Sequence, residues 1–335
     1  MTARTRCPLA LSPSRRIFAC RSYSTTRPHT IGFIGLGQMG YNMAANLLAK
    51  TSSSHLVISD TSEPVLARFT DQHAQHTHRI AVAHTPQAVA QQCDMLITML
   101  PQPHHVRAVY LGPAGVLHGL RPGCVCIDAS TVDPATARAV HAAVGARAAM
   151  LDAPVSGGIA GAKNATLTFM VGGPRAAFAR ATPVLECMGS RIEYCGDAGS
   201  GQAVKICNNM MLGIAMLGAA EAMNLGVRMG IDATLLARVL NASSGRCWAL
   251  DSYNPCPGVM DDVPASRGYE GGFGNTLMAK DLGLAVQAAN EVKSTVVLGS
   301  TALQIYNQVA STPGFENKDF SSVFLWLNDN LKKYQ

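Results

Sequence analysis

Three stretches of this 335-residue sequence hold residue types spaced for chemistry. The first is Ile31-Gly32-Phe33-Ile34-Gly35-Leu36-Gly37-Gln38-Met39-Gly40, a Gly-x-Gly-x-x-Gly pattern that follows an apolar run and opens a helical one. In that context Gly35 permits a tight turn, Gly37 lets backbone amides approach a pyrophosphate, and Gly40 lets a helix lie close against a strand. The helix start at Gln38 and Met39, with Leu36 in the turn before it, presents free N–H donors and a positive dipole end to phosphate. Asp60 closes the next apolar run, twenty residues beyond Gly40. A carboxylate there accepts hydrogen bonds from ribose hydroxyls and repels a 2′-phosphate, so the spacing predicts NAD in preference to NADP.

The second stretch is Asp152-Ala153-Pro154-Val155-Ser156-Gly157-Gly158. Ser156, Gly157 and Gly158 can form a concavity of backbone N–H groups with one hydroxyl, suited to a carboxylate, or they can be an ordinary glycine-rich turn. The third runs from Gly196 to Asn209 and leads a glycine cluster into a helix. Lys205 and Asn209 lie four residues apart and so share a face. An amine and an amide stacked this way can grip a hydroxyl and a neighbouring oxygen. The helix dipole and desolvation would bring the lysine from about 10.4 towards roughly 7–8, the working range of a general base. The alternative is a lysine solvated on a helix surface.

Parallel strands joined by crossover helices would hold the first two stretches. Apolar runs at Thr30–Ile34, Leu56–Ser59, Met95–Leu100, Val125–Ala129, Ala149–Asp152, Leu167–Val171 and Ile192–Cys195 alternate with longer helical patterns. Thr85-Pro86 and Asp133-Pro134 each set a capping side chain before a proline at the first helical position. After Gly201 the strand-like runs stop. Gln202–Gly230, Ala233–Leu240, Thr276–Ala289, Ser294–Val309 and Ser321–Leu331 read as helices, with a Pro/Gly-rich loop over Tyr253–Gly274. The expected architecture is an α/β Rossmann-type domain over 29–196 and an all-helical domain over 197–335. Met210, Met211, Met216 and Met223 form a helical stripe that predicts core packing.

Composition narrows the classes further. With 48% hydrophobic and 14% charged residues, the chain can bury a large core and is not intrinsically disordered. Ten cysteines with no Cys-x-x-Cys pair suit buried thiols in a reducing compartment. His73, His76, His78 and His84 fall in one polar stretch, which reads as a solvated loop in preference to a metal site. The formal charge of +6 is concentrated at one end: Arg4, Arg6, Arg15, Arg16, Arg21 and Arg27 precede the first acidic residue, Asp60. An Arg- and Ser-rich, acid-free leader predicts a mitochondrial transit peptide over 1–23, hence a matrix location. Without those residues 22 basic side chains face 21 acidic ones, so neither a nucleic-acid partner nor a membrane one is expected. The apolar stretch Met210–Met229 is broken by Glu221, Asn224 and Arg228 and reads as a helix inside protein.

Together these motifs resemble the β-hydroxyacid dehydrogenases, from about Thr30 to Leu327. The resemblance includes segments particular to one branch: Ser243–Trp248, Tyr253-Asn254-Pro255, Pro257–Asp261, Gly271–Gly274 and Leu277–Leu282. It implies NAD-dependent oxidation of a short hydroxyacid to a semialdehyde, with Lys205 as the catalytic lysine and Asn209 as the substrate-orienting amide. It further implies that Ser130 contacts substrate, that Trp248 and Phe273 wall the pocket, and that Leu100, Pro101, Thr131 and Lys280 contact the cofactor. His105 stands where an asparagine contacts the cofactor in the family, and Trp248-Ala249-Leu250-Asp251 is more apolar than the family's loop. The resemblance also implies a homo-oligomer, dimer or tetramer. Two other readings remain: a reductase of another small semialdehyde (succinic or tartronate), and a non-catalytic module, against which the intact Lys205 and Asn209 argue. A 6-phosphogluconate dehydrogenase would need a longer helical portion.

Overall fold

The computed structural model describes residues 30–332 apart from Ser53, so the leader expected over 1–23 lies outside the described residues. Continuous apolar runs become strands covered on both faces. These are β1 (Thr30–Ile34), β2 (His55–Ser59), β3 (Ile80–Val82), β4 (Met95–Thr98), β5 (Val125–Asp128) and β6 (Ala149–Asp152), followed by β7 (Val155–Ser156), β8 (Leu167–Gly172) and β9 (Gly189–Gly196). The sheet order is β3-β2-β1-β4-β5-β6-β8-β7, with β9 paired to β8. Strands β1 to β6 are parallel, β8 is antiparallel to β6 and β7, and β9 is parallel to β8.

Crossover helices α1 (Gln38–Lys50), α2 (Glu63–Gln72), α3 (Pro86–Ala90), α4 (Pro103–Leu111), α5 (Pro134–Val144), α6 (Gly158–Asn164) and α7 (Arg175–Leu185) accompany these strands. Both predicted caps form: Thr85 accepts from the Ala88 amide, and Asp133 from the Thr136 amide. Two buried layers result. Phe33, Ile58, Ile97, Ile127 and Leu151 pack in one, and Val57, Leu96, Cys126 and Met150 in the other.

The second half is helical: α8 (Ser200–Arg228), α9 (Ala233–Ala242), α10 (Trp248–Asp251), α11 (Asn275–Glu291), α12 (Val297–Ser311) and α13 (Val323–Lys332). Helix α8 is long and apolar enough to cross a membrane by length and composition, yet Met216, Ala220 and Met223 on it pack with residues of α9 to α13 in one cluster. Met211 departs from the predicted core stripe and is exposed, because it projects from the face opposite that cluster.

Sequence and structure differ mainly at element ends. The run expected to continue to Leu100 stops at Thr98, where the chain turns towards Pro101. Strands β3 and β7 carry too few apolar residues to stand out, and α10 is a single turn inside an irregular region. Helix α8 starts at Ser200, two residues before the expected position.

Candidate active site

The site forms at the carboxyl ends of the parallel strands, where β1 sits between β2 and β4 and the connections leave in opposite directions. Gly35 has φ +95°, and a Cβ there would lie 2.3 Å from the Met99 carbonyl. At Gly40 a Cβ would lie 1.9 Å from the Gly35 carbonyl, so the helix can approach the strand only with glycine. Gly37 differs from both: nothing lies within 4 Å of the place a Cβ would take. The glycine therefore opens a cradle in front of α1. That helix has no side-chain cap and no acidic residue in its first turn, which leaves the amides near Gln38 and Met39 free for an anion. Asp60 closes the cradle from β2, accepting from the Leu36 amide at 2.6 Å and the Ser62 amide at 2.8 Å. An open cradle, free helix amides and a carboxylate at the ribose position fit a dinucleotide.

Polar residues end three neighbouring strands in register: Thr98 on β4, Asp128 on β5 and Asp152 on β6, with Thr98 opposite Asp128 and Asp128 opposite Asp152, while Ser59 ends β2 on the far side of β1. Asp128 is buried and accepts from the Thr98 hydroxyl at 2.8 Å and from the Ser130 hydroxyl at 2.5 Å. Burial outweighs these donors and pushes its carboxyl up to about 6. Ser130 corrects an expectation. It is fully buried, its hydroxyl runs between Asp128 and the Leu100 amide, and its carbonyl accepts from Gln202. It braces the Asp128–Val132 loop and presents no surface to substrate; Thr131 beside it is half-buried.

The helical half meets this loop from above. The Lys280 ammonium on α11 donates to the Thr131 carbonyl at 2.8 Å and the Pro101 carbonyl at 3.3 Å, and pairs with Asp281 at 3.2 Å. Asp281 is buried and accepts from Asn209 Nδ2 at 2.5 Å, while Asn209 Oδ1 accepts from Asn208 at 3.0 Å. Asn209 keeps one N–H and one lone pair for another partner. Lys205, one helical turn earlier, is only 7% exposed. Burial lowers its pKa to about 8; Asp281 opposes the shift and Lys280 adds to it. Thus Leu100, Pro101, Thr131, Lys205, Asn209 and Lys280 belong to one connected neighbourhood.

The remaining predicted residues lie around it. Gly157 and Gly158 are exposed with φ +131° and +62°, and Ser156 pairs with Thr168 of β8. Trp248 is half exposed and stacks on Tyr253 at 4.8 Å. The Phe273 amide and the Tyr253 hydroxyl both donate to Asp319. The His105 ring lies tilted against His104 at 4.0 Å, and burial lowers its pKa. Sequence reasoning missed Asp128, Gln202 and Asp281 and gave Asp152 no task. For Asp128 and Asp152 the available signal was a polar residue closing a short apolar run; Gln202 and Asp281 lie within helices α8 and α11 and carried no such signal.

A chain of this build, with a dinucleotide cradle followed by a helical half that contributes a buried lysine, is a dehydrogenase of the β-hydroxyacid type. Residues 30–196 match the family described as the NAD binding domain of 6-phosphogluconate dehydrogenase, and residues 199–327 the family described as NAD-binding of NADP-dependent 3-hydroxyisobutyrate dehydrogenase. The chain is 48% identical over 313 residues to a probable mitochondrial 3-hydroxyisobutyrate dehydrogenase of Dictyostelium discoideum, covering 93% of this chain and 95% of that one. It is 49% identical over 310 residues to the mitochondrial 3-hydroxyisobutyrate dehydrogenase of Rattus norvegicus, covering 92% and 89%. The solved structure of the Mycobacterium tuberculosis 3-hydroxyisobutyrate dehydrogenase with L-serine is similar at TM-score 0.82 and 40% identity, over 90% of this chain and 99% of that one. The chain belongs to the 3-hydroxyisobutyrate dehydrogenase family.

Proposed function

We propose that this chain oxidises 3-hydroxyisobutyrate to methylmalonate semialdehyde with NAD, a step of valine breakdown, in the mitochondrial matrix. The observation that carries this reading is a lysine buried to 7% exposure with its pKa lowered to about 8, one turn before a buried, oriented amide. When bound, nicotinamide supplies the hydride acceptor. Neutral Lys205 takes the hydroxyl proton as the carbinol carbon loses hydride, which leaves a carbonyl; in reverse, protonated Lys205 returns that proton. Asn209, held by Asp281, orients the hydroxyl or a carboxylate oxygen. The amides of Ser156–Gly158 take the substrate carboxylate, and Trp248 and Phe273 close the apolar side.

Lys280 draws the helical half onto the Pro101 and Thr131 carbonyls, beside the position the nicotinamide would take. His105, with its ring against His104, lies near the same turn. Asp60 supports NAD over NADP, since a carboxylate repels the added phosphate of the latter. The mitochondrial relatives and the arginine-rich leader support the location. Exposed Leu225, Met229, Val292, Val297 and Leu298 on the helical half support a homo-oligomer.

Initial rates with 3-hydroxyisobutyrate and other short hydroxyacids, each with NAD and NADP, test the assignment. The highest kcat/KM belongs to 3-hydroxyisobutyrate with NAD. A clear preference for the product of succinic or tartronate semialdehyde reduction refutes the substrate, and a preference for NADP refutes the cofactor.

A further inference from the structure

Helix α8 carries both groups proposed for the chemistry, yet its N-cap is Gly199, with φ +85° and no side chain to cap it. The cap comes from a distant strand. Asp152, 1% exposed at the end of β6, accepts from the Gly199 amide at 2.8 Å and the Gln202 amide at 3.0 Å. It also pairs with His141 Nε2 of α5 at 3.1 Å. Contact is close: a Cβ on Gly201 would lie 2.2 Å from the Met170 carbonyl and 2.8 Å from Asp152 Oδ2.

The next link is Gln202, fully buried. Its amide nitrogen donates to the Ser130 carbonyl at 2.7 Å, and its amide oxygen accepts from the Val132 N–H at 3.1 Å. Gln202, Lys205 and Asn209 follow one another along a single helix face, at spacings of three and four residues. Whatever fixes Gln202 therefore fixes the rotation and axial height of Lys205.

We propose that Asp152 is a positioning residue for the reaction: by gripping the Gly199 and Gln202 amides it sets the register of helix α8, and so holds Lys205 and Asn209 against the Asp128–Val132 loop. A carboxylate suits the task because both of its oxygens accept and its charge favours a helix N-terminus. In Asp152→Asn one oxygen becomes an NH2 group facing an N–H donor, so one amide is left buried and unpaired. The cofactor cradle on β1 and α1 is untouched.

This inference rests on the reading of Lys205 as the base, and the test separates the two. Turnover is counted per NADH-binding site, titrated by fluorescence, so that unfolded molecules drop out. In Asp152→Asn, kcat falls roughly 10- to 100-fold, the scale of a displacement of about 1 Å. KM for the hydroxyacid rises as Asn209 shifts, and Kd for NADH stays within about twofold of the parent. Gln202→Met leaves the carboxylate in place but breaks the link to the loop, and it shows the same split of effects. Because both changes act through one turn, the double variant loses less than the product of the single losses. Per-site kcat within about twofold of the parent in both variants, or losses that multiply, overturns the proposal. Turnover retained by Lys205→Met refutes the base reading, whatever Asp152→Asn does. Turnover lost in Lys205→Met but kept in Asp152→Asn refutes the positioning role alone.

Discussion

The two ends of the site are built by different means. At the proposed cofactor end the working parts are backbone amides, left open because Gly35, Gly37 and Gly40 lack side chains. At the proposed chemical end they are side chains, Lys205 and Asn209, on a helix whose surroundings are fixed by carboxylates of other segments: Asp281 bonds Asn209, Asp152 caps the helix, and Asp128 holds the Ser130 loop to which Gln202 is tied. A backbone site depends on the absence of atoms within one short segment. A side-chain site depends on convergence of segments as far apart as Asn209 and Asp281. Substitutions at the first should therefore act on binding. Those at the second should act on turnover and on its pH dependence.

The largest expected effect lies at the chemical end. Lys205→Met removes the proposed proton acceptor and lowers kcat by about 10²- to 10⁴-fold while NADH still binds. Stopped-flow kinetics with fluorescence titration of NADH check it; a combined loss of both would break the division. The same variant has a stability signature. Native Lys205 is protonated below about 8 although buried, whereas the unfolded lysine holds its proton to about 10.5. The unfolded chain binds more protons between those values, so the parent gains stability as pH rises through that window. Lys205→Met lacks this dependence, and its thermal advantage over the parent at neutral pH shrinks towards pH 10.5.

A smaller effect belongs to the cradle. Gly37→Ala puts a methyl into open space at φ −65°, a conformation alanine accepts. The melting temperature stays put while KM for NAD rises about tenfold or more, because the methyl occupies the approach of the pyrophosphate. Gly40→Ala meets the Gly35 carbonyl and lowers the melting temperature as well. Calorimetry beside steady-state kinetics tells the two glycines apart; equal destabilisation would erase the contrast. The smallest effect is at Asp60→Asn, which keeps an oxygen for the Leu36 amide but drops the charge. The ratio of kcat/KM for NAD over NADP falls by several-fold to roughly tenfold, about 1 kcal/mol of lost discrimination.

This contrast also explains what the sequence made legible. The Gly35–Gly40 pattern, the acid at Asp60 and the strand-then-helix order are local, with each meaning contained in a few dozen residues. Strands β1 and β6 were readable to the residue because their apolar runs end where the strands end. Lys205 and Asn209 were visible as a pair because helical spacing is also local. Asp152 was visible only as the first letter of a glycine-rich turn, since its partners lie 47 and 50 residues later. Ser130 was expected to contact substrate from the family resemblance alone, and nothing in the local sequence shows that its hydroxyl turns inward to Asp128. Lys205 was expected to lose proton affinity to desolvation and to the helix dipole; burial is the leading cause of the shift, with Lys280 assisting.

The proposed proton transfer requires a lysine that is uncharged when it accepts the alcohol proton. The pH dependence of kcat for hydroxyacid oxidation at saturating NAD tests this most directly. The predicted result is a rate that climbs with pH through a single ionisation near 8 and a limb that vanishes in Lys205→Met. A kcat independent of pH from 6 to 10 in the parent, or the same limb surviving in the variant, would contradict it.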